Sequence, residues 1–538
     1  MTSELDLSAY DLSKYDSYEE AMDSFEWSIP DRFNMGTSMI DANAEQRGQV
    51  AIFWDRQEGA EETWTFSQLM RRSNQLSNAL SEFGIKKGDV VGVCLPVRPE
   101  SVLSYAGIWK RGAVSLPLPV ILGEEGFKYR LSNSGCKLLI AHADYIETIR
   151  NLYSDLDQLQ HVLVIGDTEL KEIEMDFTSC LASQSVESTP EVTSADDDAL
   201  LVYTSGTTGD PKGVVHAHRL VLGMLPGFYM KFNIDIDGIY YTAIDWTWMG
   251  SLTTILPALL TGQSVVASNY KKFRPAEQLS LLERYGVTHG DFPPTALNML
   301  RQADITSYDL DLKMVLSGGE ALSPETFRYF ESHGIPVLEG YGQTEATPLI
   351  CNCESFFDIK IGSMGKPVPG HELKLVEEHA DEEGVGEIAL KTPDPVKFKR
   401  YIGASDNGDN NHDGEWYLTG DLARVDEDGY FWYKSRADNI IISSGYRISP
   451  VEVENTIMEH EAVDNVVVTG VEDDVRGSIV KAYIKTHSTA DKKEELADDI
   501  QTLVKQQLAK YEYPREIEFI DEIPKTITGK KDRNALTE

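Results

Sequence analysis

Apolar runs of strand length alternate with segments of helical spacing along the first part of the chain. Residues 90–95, 114–118 and 199–203 are mostly apolar runs of strand length, which predicts buried strands. One helix is predicted between the first two runs, at residues 101–110. A second helix is predicted ahead of them, at residues 66–83. The second has a possible cap at Ser67, a stop at Gly84 and apolar positions at Phe66, Leu69, Leu76, Leu80 and Phe83. Strands that alternate with helices indicate an α/β fold.

The same alternation continues through the middle of the chain. Residues 240–260 begin as a mixed strand, pass through a turn that carries Trp246 and Trp248, and end as a predicted helix. Residues 313–322 predict a strand that leaves through a glycine turn into a helix beginning near Ser323. The acidic, serine-rich residues 183–198 indicate a surface connection. After the strand at 199–203, residues 216–225 are predicted to begin a helix.

The length of the chain and a late change in pattern predict two domains. At 538 residues the chain is too long for a single hydrophobic core. After Asp421 the alternation changes, and residues 436–445 have the character of a hinge before a unit of roughly 100 residues. We predict an α/β fold with a large, multi-subdomain N-terminal domain (residues 1–436) and a small, mobile α+β C-terminal domain (residues 437–538).

The charge balance restricts the partners that the protein can have. Asp and Glu number 88 against 49 Lys and Arg, which gives a formal net charge of -39 and argues against unaided binding to nucleic acid or to an anionic membrane. Anionic substrates must therefore meet locally positive sites. So large an acidic excess suggests adaptation to high salt, where counterions screen self-repulsion; an ordinary acidic cytoplasmic protein is the alternative.

The cysteines and the N-terminus favour a reducing compartment. The five cysteines form no disulfide pattern, and the pair Cys351 and Cys353 has no second pair at zinc-finger spacing. The first twenty residues lack the basic start and apolar core of a signal peptide. We predict a cytoplasmic protein without a structural metal site and without insertion into a membrane.

A loop of glycines and hydroxyl residues follows the apolar run at 199–203. Such residues let the backbone turn sharply and direct N–H groups and hydroxyls at the oxygens of an anion, so the loop suits a triphosphate. It is not a P-loop, because Pro211 stands where the second glycine is needed and Gly213 follows Lys212. The predicted phosphate site consists of Thr204, Ser205, Gly206, Thr207, Thr208 and Gly209, with Lys212 as a helper.

Together with five later motifs, this loop resembles the signature of the adenylate-forming enzymes, the superfamily of acyl-CoA synthetases, peptide-synthetase adenylation domains and luciferases. The motifs recur in the family's order over nearly the whole chain and lie at residues 341–345, 417–421, 436–439, 445–447 and 524–530. The resemblance is greatest to the medium-chain branch of the acyl-CoA synthetases. It implies a ligase that joins a carboxylic acid to coenzyme A with ATP and Mg²⁺, through an acyl-adenylate, and forms AMP and pyrophosphate.

The resemblance also implies roles for residues of the predicted large domain. Thr344 would hydrogen-bond the α-phosphate and Glu345 would hold Mg²⁺, which prefers oxygen ligands. Asp421 and Arg436 would bind the ribose. Gly319, Glu320 and Ala321 would line the adenine and Tyr341 would stack on it, while Gly342 and Gln343 of the same motif belong to the predicted ATP-binding residues.

In the predicted small domain the resemblance assigns two segments to two half-reactions. Lys530 would bridge the substrate carboxylate and the α-phosphate during adenylation. Rotation about the hinge residue Asp438 would then withdraw it and present the coenzyme A segment, which consists of Ser444, Gly445, Tyr446 and Arg447. The chain departs from the family at Asn439, where a second aspartate is common, and at Lys531, where an apolar residue is usual.

The acyl pocket is expected to accept acids longer than acetate. By resemblance Trp246 and Trp248 are candidate walls, and Gly342 occupies a position where acetate-specific relatives carry a tryptophan. Medium-chain fatty or aryl acids are therefore predicted. Three alternatives remain: a short-chain ligase for acetate or propionate, an acyl-AMP ligase that loads a carrier protein, and a nucleotide-sensing relative without catalysis. The oligomeric state is not predicted.

Overall fold

The computed structural model describes residues 5–536 except 46–47, 57–60, 205–210, 271, 320–321, 378–383, 403–411, 440, 444–445, 474–476, 487–492, 509–510 and 527–530. Two compact units contain these residues. Unit 1 comprises residues 1–371 with 393–410, and unit 2 comprises residues 372–392 with 411–538. The predicted mixed α/β class, with a large N-terminal and a smaller C-terminal part, is confirmed.

Within the described residues, the strands in chain order are β1 (Val50–Asp55), β2 (Glu61–Thr65), β3 (Val90–Cys94), β4 (Val114–Pro117), β5 (Leu138–His142), β6 (His161–Ile165), β7 (Glu174–Asp176), β8 (Asp198–Thr204), β9 (Lys212–Ala217), β10 (Ile239–Thr242), β11 (Ser264–Ser268), β12 (His289–Asp291), β13 (Met314–Gly318), β14 (Val337–Gln343), β15 (Ala346–Cys351), β16 (Lys366–Pro367), β17 (Leu373–Val376), β18 (Val385–Lys391), β19 (Arg400–Tyr401), β20 (His412–Asp413), β21 (Trp416–Val425), β22 (Phe431–Arg436), β23 (Ile441–Ser443), β24 (Tyr446–Ile448), β25 (Val463–Asp473), β26 (Gly477–Thr486) and β27 (Glu516–Phe519).

The α-helices of the same residues are α1 (Tyr18–Ser24), α2 (Phe66–Glu82), α3 (Pro99–Lys110), α4 (Glu124–Ser134), α5 (Ile146–Arg150), α6 (Phe177–Ala182), α7 (Leu220–Lys231), α8 (Met249–Leu260), α9 (Pro275–Tyr285), α10 (Pro294–Leu300), α11 (Pro324–Ser332), α12 (Pro450–Met458) and α13 (Lys493–Gln507). No helix of the described residues is both long and apolar enough to cross a membrane.

Unit 1 contains two large sheets. One has eight strands in the order β19-β9-β8-β4-β3-β5-β6-β7, and the other has nine in the order β16-β15-β14-β13-β12-β10-β11-β1-β2. In the second sheet β1, β11, β10, β12, β13 and β14 run parallel, so their carboxyl ends meet at one edge, where α/β proteins commonly bind ligands. One face of this sheet packs against α9, α10 and α11 through residues such as Tyr241, Val315 and Val337.

Unit 2 contains two five-stranded sheets. β17, β18, β21, β20 and β22 form the first, and β24, β23, β26, β25 and β27 form the second. Helices α12 and α13 cover the second sheet around a core that includes Val453, Ile457, Ile500 and Val504. Unit 2 therefore also contains residues 372–392 and 411–436, which belong to the predicted N-terminal domain. The predicted boundary between functional domains at residues 436–437 stays a prediction.

Most predicted elements lie within a few residues of the observed ones, and three differ in a way that has a physical reason. The N-cap of α2 is Thr65, which forms a capping box with Gln68, whereas the Ser67 hydroxyl donates to the Ala44 carbonyl at 2.9 Å. His216 lies in strand β9, and the helix starts at Leu220, because pairing with β8 and β19 holds that segment extended. Asp421, after which the pattern was expected to change, lies inside strand β21, because pairing with β18 and β22 continues this strand to Val425.

Candidate active site

The turn between β14 and β15 in unit 1 carries the two residues expected to contact phosphate and metal, Thr344 and Glu345. Nε2 of His216, on β9, lies 2.8 Å from the Thr344 carbonyl oxygen. A carbonyl only accepts, so this nitrogen carries a proton and donates it. Burial lowers the pKa of His216 to about 4, which keeps the ring neutral near pH 7. The turn is thereby tied to the strand that follows the phosphate loop.

A second segment of unit 1, residues 398–402, holds the same turn from another direction. The Phe398 N–H donates to the Glu345 carbonyl at 2.8 Å, and the Tyr401 hydroxyl donates to Oε1 of Glu345 at 3.0 Å. Strand β19 in this segment pairs with β9, with Tyr401 opposite Val214. The predicted metal carboxylate is therefore fixed through both its backbone and its side chain. The sequence reasoning missed Tyr401.

The two ends of the predicted phosphate loop lie on this same strand pair. Thr204 ends β8, Lys212 begins β9, and the two residues are register partners. Ser205, Gly206, Thr207, Thr208 and Gly209 lie outside the described residues. Lys212 is exposed, and its ammonium lies 5.2 Å from the centre of the Tyr401 ring. Tyr401 thus contacts both the cation at the end of the loop and the carboxylate of the turn.

The predicted adenine residues lie at the carboxyl ends of β13 and β14. Gly318 pairs with Gly340, so Gly319 follows one strand where Tyr341, Gly342 and Gln343 end the other. Gly319 has φ +83°, a backbone conformation that favours glycine. Glu320 and Ala321 lie outside the described residues, and Ser323 caps helix α11 as predicted.

A buried carboxyl group supports this end of the sheet and was not predicted. Glu339 on β14 accepts backbone hydrogen bonds from Leu322, after the Gly319 turn, and from Gly362. Burial raises the pKa of Glu339 to about 7. An acidic residue within an apolar strand pattern is the signal in the sequence that would have found it.

Gly342 has a packing requirement that is independent of the substrate. A Cβ at this position would lie 2.3 Å from Oγ1 and 2.6 Å from Cβ of Thr347, so a side chain would displace the neighbouring strand β15. The glycine therefore permits the close approach of the two strands at the turn. Its predicted role in selecting acids longer than acetate stays a prediction.

The two tryptophans predicted as acyl walls lie just before helix α8. Trp246 is buried, and its carbonyl accepts a hydrogen bond from the Tyr105 hydroxyl at 3.2 Å; Trp248 is half-buried. Directly before Trp246, the carboxylate of Asp245 accepts hydrogen bonds from the Thr247 N–H at 2.9 Å and hydroxyl at 2.6 Å. Burial raises the pKa of Asp245. These contacts fix the turn, and the acyl role of the two rings stays a prediction.

Behind this turn lies a buried lysine that the sequence reasoning also missed. The Lys231 ammonium donates to the carbonyl of Thr253 at 3.1 Å and to its hydroxyl at 2.8 Å. The Cγ atom of Lys231 is 3.9 Å from where a Cβ on Gly340 would lie, two residues before Gly342. Burial lowers the pKa of Lys231, and the carboxylate of Asp291, at the carboxyl end of β12, opposes part of this shift. A lysine at the end of the apolar helix α7 is the sequence signal.

Unit 2 contains the predicted ribose pair. Asp421 on β21 and Arg436 on β22 are register partners, with 3.7 Å between Oδ1 and Nη1. The Tyr433 hydroxyl donates to Oδ1 of Asp421 at 3.4 Å. Because Asp421 is buried and Arg436 is about one-third exposed, the carboxylate is held in place while the guanidinium reaches solvent. The structure brings these two predicted residues together.

The C-terminal motif is described only at its base. Lys530 lies outside the described residues, but Lys525 and Lys531 form a β-bridge on either side of it, and the Asp532 N–H donates to the Pro524 carbonyl at 2.9 Å. The Lys531 ammonium lies 3.5 Å from Oε2 of Glu454. The unusual lysine after the predicted catalytic one therefore anchors the base of the loop.

The remaining predicted residues of unit 2 belong to the hinge and to the coenzyme A segment. Asp438 lies in a short 3₁₀ helix, Ala437–Asn439. Tyr446 and Arg447 lie on β24, opposite Ser443 and Ile442 of β23. Ser444 and Gly445 lie outside the described residues. No group of three or more potential metal-ligating side chains occurs among the residues that the structure describes.

Comparison with known proteins gives matches over nearly the whole chain. The family model described as AMP-binding enzyme matches residues 40–401, and that of the AMP-binding enzyme C-terminal domain matches residues 452–530. The chain is 35% identical to the uncharacterized acyl-CoA ligase YtcI of Bacillus subtilis (93% of this chain, 95% of the relative) and 32% identical to the human mitochondrial acyl-coenzyme A synthetase ACSM3 (97% and 92%). The crystal structure of the anthranilate CoA ligase AuaEII with anthranoyl-AMP superposes with a TM-score of 0.85 at 29% identity, over 94% of this chain and 97% of that one.

Proposed function

The chain belongs to the AMP-binding enzyme family as an AMP-forming acid–thiol ligase, and we propose that its substrates are medium-chain fatty or aryl carboxylic acids. Two similar proteins, a mitochondrial acyl-coenzyme A synthetase and an anthranilate CoA ligase, support this range of acids by their names. Gly342, at the end of β14, is consistent with a pocket longer than acetate.

One observation carries the assignment of the adenylation site. The Glu345 carboxylate, the Thr344 turn and the ends of the phosphate loop are held together through His216 and Tyr401. This arrangement suits attack on a nucleoside triphosphate, where two anions must approach and the charge of the leaving pyrophosphate must be held. In unit 2, Asp421 and Arg436 supply the acceptor and donors that ribose hydroxyls need.

In the first half-reaction a carboxylate oxygen of the acid attacks the α-phosphorus of ATP. The new bond is carboxyl oxygen to phosphorus, and the bond from that phosphorus to the bridging oxygen breaks, which releases pyrophosphate. The Thr344 hydroxyl and the Lys530 ammonium donate to the α-phosphate, and Lys212 faces the departing charge. Glu345 has the oxygen ligands that suit Mg²⁺, which neutralises phosphate charge when bound.

In the second half-reaction the thiol of coenzyme A attacks the acyl carbon. A carbon–sulfur bond forms, the acyl carbon–oxygen bond to phosphate breaks, and AMP leaves with that electron pair. Rotation about Asp438 withdraws Lys530 and presents the segment Ser444, Gly445, Tyr446 and Arg447. Glycine permits close approach of the pantetheine arm, and Arg447 carries the positive charge for a phosphate of coenzyme A.

Acid-dependent release of pyrophosphate tests the function directly. Purified protein is supplied with ATP, Mg²⁺ and acids from acetate to dodecanoate together with benzoate, with and without coenzyme A. We expect release with AMP and acyl-CoA formation, and a maximum above acetate. Preference for acetate would assign a short-chain ligase, turnover only with a carrier-protein thiol would assign an acyl-AMP ligase, and no turnover would favour nucleotide sensing. Parallel assays at low and high potassium test the high-salt prediction that the net charge suggests.

Lys530→Ala tests the division of labour between the two half-reactions. We expect adenylation to fall by ~10²-fold or more, because a preorganised charge donor is lost, while thioester formation from supplied acyl-adenylate is retained. Lys525→Ala, in the same motif on an exposed residue, is the matched control. An equal loss in both half-reactions would contradict the proposed rotation.

A further inference from the structure

We propose that Tyr401 is a positioning residue for Glu345, and that through this carboxylate it sets the affinity of the site for the divalent cation that accompanies ATP. The inference rests on the proposed function, in which Glu345 holds that cation. It assigns a role to a residue outside all the motifs by which the site was predicted, 56 positions along the chain from Glu345.

Tyr401 contacts two parts of unit 1 that are proposed to bind the triphosphate and its cation, the turn with Glu345 and the end of the loop with Lys212. Its hydroxyl donates to Oε1 of Glu345 at 3.0 Å, and its ring lies 5.2 Å from the Lys212 ammonium. Its backbone is fixed by pairing of β19 with β9 and by the adjacent bond from the Ile402 N–H to the Gly213 carbonyl at 2.7 Å. A rigid ring on an anchored backbone leaves the hydroxyl few positions, and in the observed one it reaches Glu345.

That position matters because a glutamate side chain has three rotatable bonds. The Phe398 N–H fixes the backbone carbonyl of Glu345 at 2.8 Å, but it leaves the carboxylate rotamer open. The Tyr401 hydroxyl favours the rotamer in which Oε1 faces it, and a hydrogen bond on one carboxylate oxygen directs the lone pairs that a cation uses. Partners of this kind typically change metal affinity or activity by about 10- to 100-fold when they are removed.

The contact with Lys212 gives Tyr401 a second, smaller effect. An exposed cation above an aromatic face is attracted weakly, so the ring biases the Lys212 ammonium toward the turn. Removing only the hydroxyl keeps this contact. The Tyr401→Phe variant therefore separates the effect on Glu345 from the effect on Lys212.

The test uses the full-length protein and Mn²⁺ as the probe for the cation. Free Mn²⁺ is measured by its electron paramagnetic resonance signal in the presence of ATP and without acid, for the wild type, Tyr401→Phe, Glu345→Gln and the double variant. Tyr270→Phe is the matched control, because its hydroxyl also donates to a carboxylate, Oδ2 of Asp55, at 2.9 Å, at a position that belongs to no predicted site. Thermal unfolding is recorded for each variant.

We expect Tyr401→Phe to bind Mn²⁺ with ATP about 10-fold more weakly than wild type, and to release pyrophosphate with a kcat lowered by a similar factor and an unchanged KM for the acid. Tyr270→Phe should match wild type in both. In the Glu345→Gln background the loss of the Tyr401 hydroxyl should have no further effect, because the two act as a unit.

Two results would overturn the inference alone: wild-type Mn²⁺ affinity in Tyr401→Phe, or an equal weakening in the Glu345→Gln background. In both cases the wild type would still release pyrophosphate, so the proposed function would stand. A wild type that neither binds Mn²⁺ with ATP nor turns over any acid would overturn the proposed function and this inference together.

Discussion

Two buried lysines in unit 1 are held in very different ways. The Lys110 ammonium at the end of α3 lies 2.5 Å from Oδ1 of Asp41 and also donates to Ser73 and Asn74 at 2.8 Å each. The Lys231 ammonium at the end of α7 is as deeply buried, and its hydrogen bonds among the described residues both go to Thr253. Burial lowers the pKa of both lysines, and in both a carboxylate partly opposes the shift.

Lys110 is therefore a structural cation that is paired with a carboxylate, whereas the hydrogen-bond partners of Lys231 do not balance its charge. Lys110 joins α3 to α2 and to Asp41, and its three N–H groups meet a carboxylate and two side-chain oxygens. Lys231 lies near the carboxyl ends of β12 and β14 with neutral hydrogen-bond partners. A buried charge with neutral partners costs stability, so such groups concentrate at functional sites. The comparison therefore predicts that the two lysines differ in what their removal changes.

The largest effect is expected at Lys110. Lys110→Met leaves the Asp41 carboxylate, which is about one-quarter exposed, without its buried cation. Breaking a buried pair typically costs about 3–5 kcal/mol, and we expect the lower end of this range because Asp41 keeps some contact with water. The free energy of unfolding is measured by urea denaturation, followed by the fluorescence of the buried tryptophans. The double variant Lys110→Met with Asp41→Leu removes both charges and should recover most of the loss. If the double variant is no more stable than the single one, the ion pair is not the cause.

Glu339 extends the comparison to a buried acid with neutral partners. Its folded pKa of about 7 lies above its ordinary value of 4.5, so between these values the folded state keeps a proton that the unfolded state has released. Stability should therefore fall as pH rises from about 4.5 to about 7, by about 3 kcal/mol at one pKa unit per 1.36 kcal/mol. Glu339→Gln should lack this fall and be the more stable protein at pH 8. Parallel pH profiles of both proteins would contradict the assignment.

The sequence predicted the elements of this region but not its buried charges. The strand before the predicted phosphate loop and the helix that begins near Ser323 follow from local pattern, because neighbouring residues determine them. His216 was misassigned because its strand is set by pairing with β8, on the other side of the predicted loop, and with β19, which lies far along the chain. The contacts of Tyr401 with Glu345 and of Lys231 with Thr253 join positions 56 and 22 residues apart, which no local pattern encodes.

Lys231→Met should cost far less than the same change at Lys110. Asp291 already has a raised pKa and accepts a hydrogen bond from the Thr254 hydroxyl at 2.9 Å, so it can take up a proton when the lysine is lost. We expect a change of no more than about 1 kcal/mol at pH 7, in either direction. The folded pKa of Lys231 lies below 10.5, so the wild type should gain stability as pH rises toward that value, and the variant should lack this gain. A loss as large as that of Lys110→Met would make Lys231 a structural cation as well.

The smallest expected effect is on the selectivity among acids. It tests whether the charge of Lys231 acts on the substrate. The Lys231 ammonium contacts Thr253 on α8, the helix that follows Trp248, and the side chain lies beside Gly340. An acyl chain in the predicted pocket that extends past Gly342 would therefore approach this ammonium. Replacing that ammonium by the thioether of Met makes the interior more apolar. One methylene in an apolar pocket changes selectivity by about 10-fold or more, so we expect Lys231→Met to shift kcat/KM by about 5-fold toward the longer acids of the panel. Lys110→Met, assayed at a temperature where it is folded, should keep the wild-type order of acids, because its lysine contacts α2 and Asp41 instead. If both variants keep that order, the polar interior around Lys231 lies beyond the reach of the acyl chain.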